Sequence, residues 1–136
     1  MQRVLLIQIR RIGDCLLATP SLRALKRHNP GLRTCVLVQD YCAPVFRHNP
    51  HADELVTCRR QQSLRDRWAV IRRLREFRPD TAVDLLGKPS SAAMARLSGA
   101  NRRIGFRQRG RSLFYTDSLR PDMFREYSVF HKGFLL

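Results

Sequence analysis

Four groups of residues in this sequence are of types that act on anionic or hydroxylic substrates. Asp14 stands just beyond an apolar run, Val4 to Ile9. A carboxylate at the start of a helix is held ionised by the helix dipole, and an ionised carboxylate can take a proton from an attacking hydroxyl. Position alone leaves Asp14 equally open to a plain capping role, since aspartate is a favoured N-cap. The loop Gly87-Lys88-Pro89-Ser90-Ser91 follows another apolar run and opens a helix, so backbone N–H groups and Lys88 could hold an anion there. Its spacing is not that of a P-loop, and a simple strand-to-helix connection remains open. Arg102, Arg103, Arg107, Arg109 and Arg111 make a local positive field that could face a phosphorylated ligand, a nucleic-acid backbone or only water. Asp84, set among the apolar residues of TAVDLL, needs a partner if buried, either as a structural group or lining a cleft. No Ser/His/Asp or Cys/His nucleophilic set can be assembled, and no G-x-G-x-x-G dinucleotide motif is present.

These groups must be positioned by the elements between them. Residues 3–9 read as a strand apolar on both faces. The loop Arg10 to Gly13 leads into a helix over about 14–28, strained near Pro20, whose N-cap is either Asp14 or Thr19. Leu22, Leu25 and Ala18 or Leu17 would face the sheet. Asn29-Pro30-Gly31 breaks the chain before a second strand at 34–38, a short helix or turn at 41–48 and a third strand at 53–58. Arg59 to Gln62 reads as a polar connection. The clearest helix runs from Ser63 to Phe77, with Leu64, Trp68, Ile71 and Leu74 as its buried face and Arg65, Arg72, Arg73 and Arg75 outside. It reads as packed on the sheet, with Trp68 in the core; a basic helix lying on an anionic membrane is the alternative. A fourth strand at 81–86, a helix capped by Ser90 or Ser91 and ended by Gly99, and a fifth strand at 102–106 follow. A short extended piece at 112–116, a turn-rich link at 117–122 and one more helix complete the chain. Alternation of strands and helices predicts an α/β, Rossmann-like open sheet, mainly parallel, with helices on both faces.

The composition narrows the partners. There are 26 Lys and Arg against 11 Asp and Glu, a formal net charge of +15 over 136 residues. Such a balance suits nucleic acid, acidic headgroups or a phosphorylated substrate, without choosing between them. No apolar run approaches the ~20 residues that span a bilayer. The start lacks a cleavage site and is interrupted by Arg10 and Arg11, so a cytoplasmic chain is expected. Cys15, Cys35, Cys42 and Cys58 form no C-x-x-C pair and the histidines are scattered, so no metal is expected; Cys35 and Cys58 read as buried thiols.

The order of short motifs carries a resemblance. Val4 to Asp14 (VLLIQIRRIGD) with Thr19-Pro20-Ser21-Leu22-Arg23-Ala24-Leu25-Lys26 resembles the amino terminus of the lipopolysaccharide heptosyltransferases, glycosyltransferase family 9. His48-Asn49-Pro50 with Ala52-Asp53-Glu54-Leu55, then Phe77 to Gly87, Ser91 to Ala100 and Arg103-Ile104-Gly105-Phe106, are similar to further segments of that family in the same order. The resemblance covers residues 3–116 and fades in the tail. Cys15 stands where the family usually has an apolar residue.

The resemblance implies the amino-terminal half of a GT-B glycosyltransferase: residues 1–120 as a Rossmann-like acceptor-side domain and 121–136 as the start of a linker to a further domain. It implies transfer of heptose from ADP-heptose to the inner core of lipopolysaccharide. Asp14 is then the general base, and Gly13, Lys88, Arg103 and Arg107 are candidates for binding the acceptor. No cofactor is implied, because the donor ADP-heptose would bind the second domain; without it the chain is expected to be inactive. The implied partners are a phosphorylated lipid A–Kdo or inner-core glycolipid and, peripherally, the anionic cytoplasmic face of the inner membrane. No specific nucleic acid is implied. A non-enzymatic basic α/β domain binding nucleic acid or acidic membrane is the alternative, supported by composition alone.

Overall fold

The chain is laid around β1 (Arg3–Gln8). In the computed structural model, which describes residues 2–9, 12–106 and 114–119, this strand pairs in parallel with β2 (Arg33–Gln39) on one side and β4 (Thr81–Asp84) on the other. β3 (Glu54–Cys58) extends the sheet beyond β2, while β5 (Arg102–Phe106) and β6 (Asp117–Leu119) extend it beyond β4. The order is β3-β2-β1-β4-β5-β6, with every pairing parallel. Strand order therefore reverses between β1 and β4, and a crevice at the carboxyl ends of the strands is expected at that point.

The central strands read as unbroken apolar runs because both faces are covered. Val4, Leu6, Val36, Val38 and Val83 belong to one core. Leu5, Ile7, Cys35, Leu37 and Ala82 belong to the other, as the two-residue period of a strand requires. α1 (Ile12–His28) and α2 (Ala43–Arg47) cover the first face through Cys15, Ala18, Leu22, Leu25 and Phe46. α3 (Leu64–Phe77) and α4 (Pro89–Leu97) cover the second through Val70, Leu74, Phe77 and Ala95. A fully buried Leu or Val contributes about 1.5–3 kcal/mol, so β1, whose Val4 to Ile7 are at most 1% exposed, anchors both cores.

Several expectations change in detail. α1 starts at Ile12, so Gly13 and Asp14 lie in its first turn and neither Asp14 nor Thr19 is its N-cap. Gly13 is not among the glycines with positive φ, which are Gly87 and Gly99; it continues a helix rather than making the turn. Pro20 does sit inside α1. Having no N–H, it leaves the Leu16 carbonyl open, and the Thr19 hydroxyl donates to that carbonyl at 2.8 Å. The segment after β2 is a 3-10 turn (Asp40–Cys42) leading into α2.

Ser63, expected as the first residue of this helix, is instead its N-cap: Asp66 N–H donates to Ser63 Oγ and Ser63 N–H to the Asp66 carboxylate. Its inward stripe is Val70, Ile71, Leu74 and Phe77. Leu64 and Trp68, expected in the buried face, are 75% and 59% exposed. Burial on this helix begins at Val70, and residues 64–69 are all exposed. β4 stops at Asp84, two residues early, because the Asp84 side chain turns the chain there. Neither Ser90 nor Ser91 caps α4; Lys88 holds that position with Pro89 first in the helix, and Ser91 Oγ accepts from Lys88 N–H at 3.0 Å. A strand falls at Asp117–Leu119, where a turn-rich link was expected, and the extended piece expected at 112–116 lies partly outside the described residues. The expected final helix and the basic loop from Arg107 lie outside the described residues, as does the side chain of Leu17. All four cysteines are buried, and none forms a disulfide among the described residues. Burial pushes the thiol of Cys35 up to about 12 and that of Cys58 to about 11, so neither is a thiolate near neutrality.

Candidate functional site

The carboxyl ends of β1 to β4 converge on a cleft of about 740 Å3, within the range of small-ligand sites. Ile9 follows β1, Gln39 closes β2, Cys58 closes β3 and Lys88 follows β4, so the cleft straddles the reversal between β1 and β4. Its apolar wall comes from Ile71 of α3 and Met94 of α4. Its polar lining carries Arg59, Arg60, Arg67 and Lys88 and no carboxylate. Each cation has a local reason to be there. Arg59 and Arg60 are the first residues after β3 and Arg67 lies in the exposed first turns of α3. Lys88 is the N-cap of α4, whose amino terminus adds its own positive dipole. Arg60, Arg67 and Lys88 pair with no carboxylate among the described residues, and Arg59 approaches only the exposed Asp40, at 3.9 Å.

The turn that presents Lys88 is built on Asp84. Its carboxylate is fully buried and accepts from Leu86 N–H at 2.9 Å, Gly87 N–H at 3.0 Å, Ser91 Oγ at 2.7 Å and the Tyr115 hydroxyl at 2.5 Å. Burial raises its pKa above the usual carboxylate range, and the four donors oppose that rise without cancelling it. Gly87, with φ 73°, takes the left-handed conformation the turn requires. Tyr115 reaches Asp84 across Gly105, where a Cβ would come within 2.4 Å of the tyrosine ring. Asp84 is thus a structural group under the cleft. Gln8, at the end of β1, is also buried, and its Oε1 has no hydrogen-bond partner among the described residues.

The candidate residues separate. Lys88 is in the cleft. Gly13 is exposed in the first turn of α1, just past the carboxyl end of β1, and is not part of the cleft lining. The backbone of Asp14 follows it in the same turn, five residues beyond the cleft residue Ile9; its side chain lies outside the described part of the structure. Arg103 is elsewhere. It sits near the amino end of β5, where its guanidinium donates to the carbonyls of Phe114 at 2.7 Å and Ala100 at 2.8 Å. Those carbonyls hold the guanidinium, and Arg103 is not part of the cleft lining. Arg107 lies outside the described residues. In the sequence Arg59 and Arg60 read only as part of a polar connection, and nothing singles out Arg67. Their signal was position: Arg59 and Arg60 directly follow a strand of a parallel sheet, the same placement that drew attention to Asp14.

Among the described residues no group of three His, Cys, Asp or Glu side chains could hold a metal, and no helix is long and apolar enough to cross a membrane. A wider groove of about 1120 Å3 lies along α1 and the segment after α2, away from the strand ends.

No protein-family model matches the sequence, and no curated protein matches it. Solved structures do. A glycosyltransferase of family 9 from Veillonella parvula matches with a TM-score of 0.84 at 19% identity, over 98% of this chain and 40% of its own. The E. coli heptosyltransferase WaaC, solved with ADP, matches with a TM-score of 0.82 at 23% identity, over 98% of this chain and 45% of its own. The E. coli ADP-heptose LPS heptosyltransferase II matches with a TM-score of 0.74 at 24% identity, over 90% and 36%. These are structures of the family that the motif series resembles. The chain spans less than half the length of each, and what it shares with them is the Rossmann-like α/β fold.

Proposed function

We propose that this chain is the acceptor-side domain of a heptosyltransferase. In this reading it binds a phosphorylated glycolipid in the basic cleft and presents Asp14 as general base, while a second domain binds ADP-heptose. The observation that carries the reading is the cleft itself: four cations and no carboxylate at the point where strand order reverses. Phosphate groups are the natural complement of such a lining, since arginine grips them bidentately and the α4 amino terminus favours negative charge. The acceptor hydroxyl attacks the anomeric carbon of the donor sugar as the Asp14 carboxylate takes its proton. The bond from that carbon to the diphosphate oxygen breaks, and ADP leaves. Stabilising the charge that develops on the diphosphate falls to the second domain in this reading.

The test joins the chain to a donor-binding domain of the family and measures heptose transfer from ADP-heptose to a phosphorylated core glycolipid. Asp14→Asn should lower kcat by roughly 10²–10⁴-fold, the range of general-base catalysis. Unchanged transfer in that variant would remove Asp14 from the chemistry. Tighter binding of duplex DNA than of the glycolipid at equal charge and salt, with no transfer in any pairing, would favour a nucleic-acid domain instead.

A further inference from the structure

α3 is an unusual covering helix. Its second half packs on the sheet, but Leu64 to Ala69 are all exposed. A parallel strand-helix crossover puts this amino-terminal end at the carboxyl edge of the sheet, beside the cleft mouth that Arg67 lines. Leu64 and Trp68, four residues apart, share one side of the helix, at 75% and 59% exposure. Arg65 and Arg72 flank them on the same side, both exposed. Nothing among the described residues covers this stripe.

An exposed indole and leucine framed by arginines have two needs, an apolar medium a few ångströms deep and anions around it. Tryptophan is the side chain that suits the boundary between water and hydrocarbon, its ring in the apolar layer and its N–H among headgroups. A second copy of this chain is a poor occupant, since two surfaces of a chain with net charge +15 repel. Nucleic acid would satisfy the arginines and leave Leu64 exposed. We propose that the projecting first half of α3 docks on a bilayer rich in anionic phospholipid, with Trp68 and Leu64 entering the interface and Arg65 and Arg72 holding the headgroup phosphates. The cleft mouth then faces the layer that presents a lipid-linked acceptor. This orientation deepens the acceptor reading, but the docking itself does not depend on it.

Trp68 is the single tryptophan of the chain, so intrinsic fluorescence reports on this site alone. The whole chain is mixed with vesicles of phosphatidylglycerol and phosphatidylethanolamine that contain no glycolipid. Emission should move to shorter wavelength, and lipids brominated near the headgroup should quench it. Neutral phosphatidylcholine vesicles should do neither, and high salt should reverse the change. In sedimentation with the anionic vesicles, the double substitution Arg65→Gln with Arg72→Gln should weaken binding about tenfold or more. Trp68→Ser should weaken it as well, and both sites are exposed, so the fold is not at risk. The proposal is overturned by binding that leaves the emission unchanged, by an equal shift with neutral vesicles or duplex DNA, or by an emission already that of a buried indole before lipid is added. It is equally overturned if no binding occurs. Because the vesicles lack any acceptor, failure here and failure of the acceptor reading are separate results.

Discussion

The two edges of the sheet handle charge differently. At the amino edge, charges are committed to holding strands in register. The Asp80 carboxylate accepts from the N–H groups of Gln2 and Arg3, each at 2.7 Å, and so ties the start of β1 to the start of β4. Asp53 accepts from Thr34 N–H at 2.8 Å and pairs with Lys26, joining β2, β3 and α1. Arg33 pairs with Glu54 at 2.9 Å and Arg102 with Asp117 at 3.0 Å, again at strand starts. At the carboxyl edge, the cations of the cleft bind nothing comparable, and the buried carboxylate there, Asp84, holds the turn beneath them. The difference teaches that net charge is a poor guide to function in this chain. What marks the site is basic charge that the fold leaves without a structural task.

The largest expected effect comes from breaking the turn under the cleft. Asp84→Ala strands the buried N–H of Gly87, the half-buried N–H of Leu86 and two hydroxyls at once. Losing one partner of a buried polar network costs several kcal/mol, so we expect ~3 kcal/mol or more, read from the midpoint of urea unfolding. Asp84→Asn keeps an acceptor for Leu86 and Gly87 and should cost visibly less. Gly105→Ala attacks the same network from the far side, because the new methyl meets the Tyr115 ring at 2.4 Å. Overpacking of this kind costs about 1–3 kcal/mol. If Gly105→Ala is neutral, Tyr115 is not needed to hold Asp84, and the turn is held by its backbone donors alone.

The amino edge should answer to pH. Burial raises the carboxyl of Asp80, but the N–H groups of Arg3 and Gln2 and the Thr81 hydroxyl outweigh it, and the net shift is downward. Asp53 behaves alike: burial opposes, the Lys26 and Thr34 donors prevail, and its value is lowered. A folded-state pKa below the unfolded one contributes stability that is complete above the unfolded carboxylate value. That stability is lost as pH falls through the folded value. Asp80→Ala should therefore cost about 1–2 kcal/mol at neutral pH, in line with the loss of charge-assisted hydrogen bonds, and less as the medium turns acid. A constant deficit from neutral to acid pH would mean that the carboxylate is not what ties β1 to β4.

Much of the fold was legible because its signals are local. The apolar runs of β1, β2 and β4 carry no alternation, which is how a strand covered on both faces must read, and Asn29-Pro30 and Gly99 punctuate the chain where the helices end. Helical periodicity on α3 was legible too, but how far it is covered was not. Leu64 and Trp68 have the right spacing for a buried face, yet burial begins only at Val70, a fact of three-dimensional extent. Ser90 and Ser91 are good N-cap types, yet the cap went to Lys88, since Pro89 is best placed as the first helical residue. The cleft was half legible. Lys88 stood out beside a glycine after a strand. Arg59, Arg60 and Arg67 were hidden among 26 basic residues until the strand order brought three loop ends together.

The smallest effect on stability is the most telling for function. Arg60→Ala and Lys88→Ala remove exposed or half-buried cations that pair with no carboxylate among the described residues, so each should move the unfolding free energy by no more than ~0.5 kcal/mol, as for surface substitutions away from structural contacts. Removing both should even raise stability slightly at low salt, by easing repulsion within the cleft. Binding of a phosphorylated ligand should fall in the same variants, by roughly tenfold for each lost charge-assisted contact, as titration calorimetry with inorganic pyrophosphate would read. Arg102→Ala, at the amino edge, supplies the contrast. It breaks the pair with Asp117, the first residue of β6, and should leave pyrophosphate binding unchanged. Equal loss of binding from Arg102→Ala would mean that total charge, and not the cleft, attracts the anion, and the distinction between the two edges would fail.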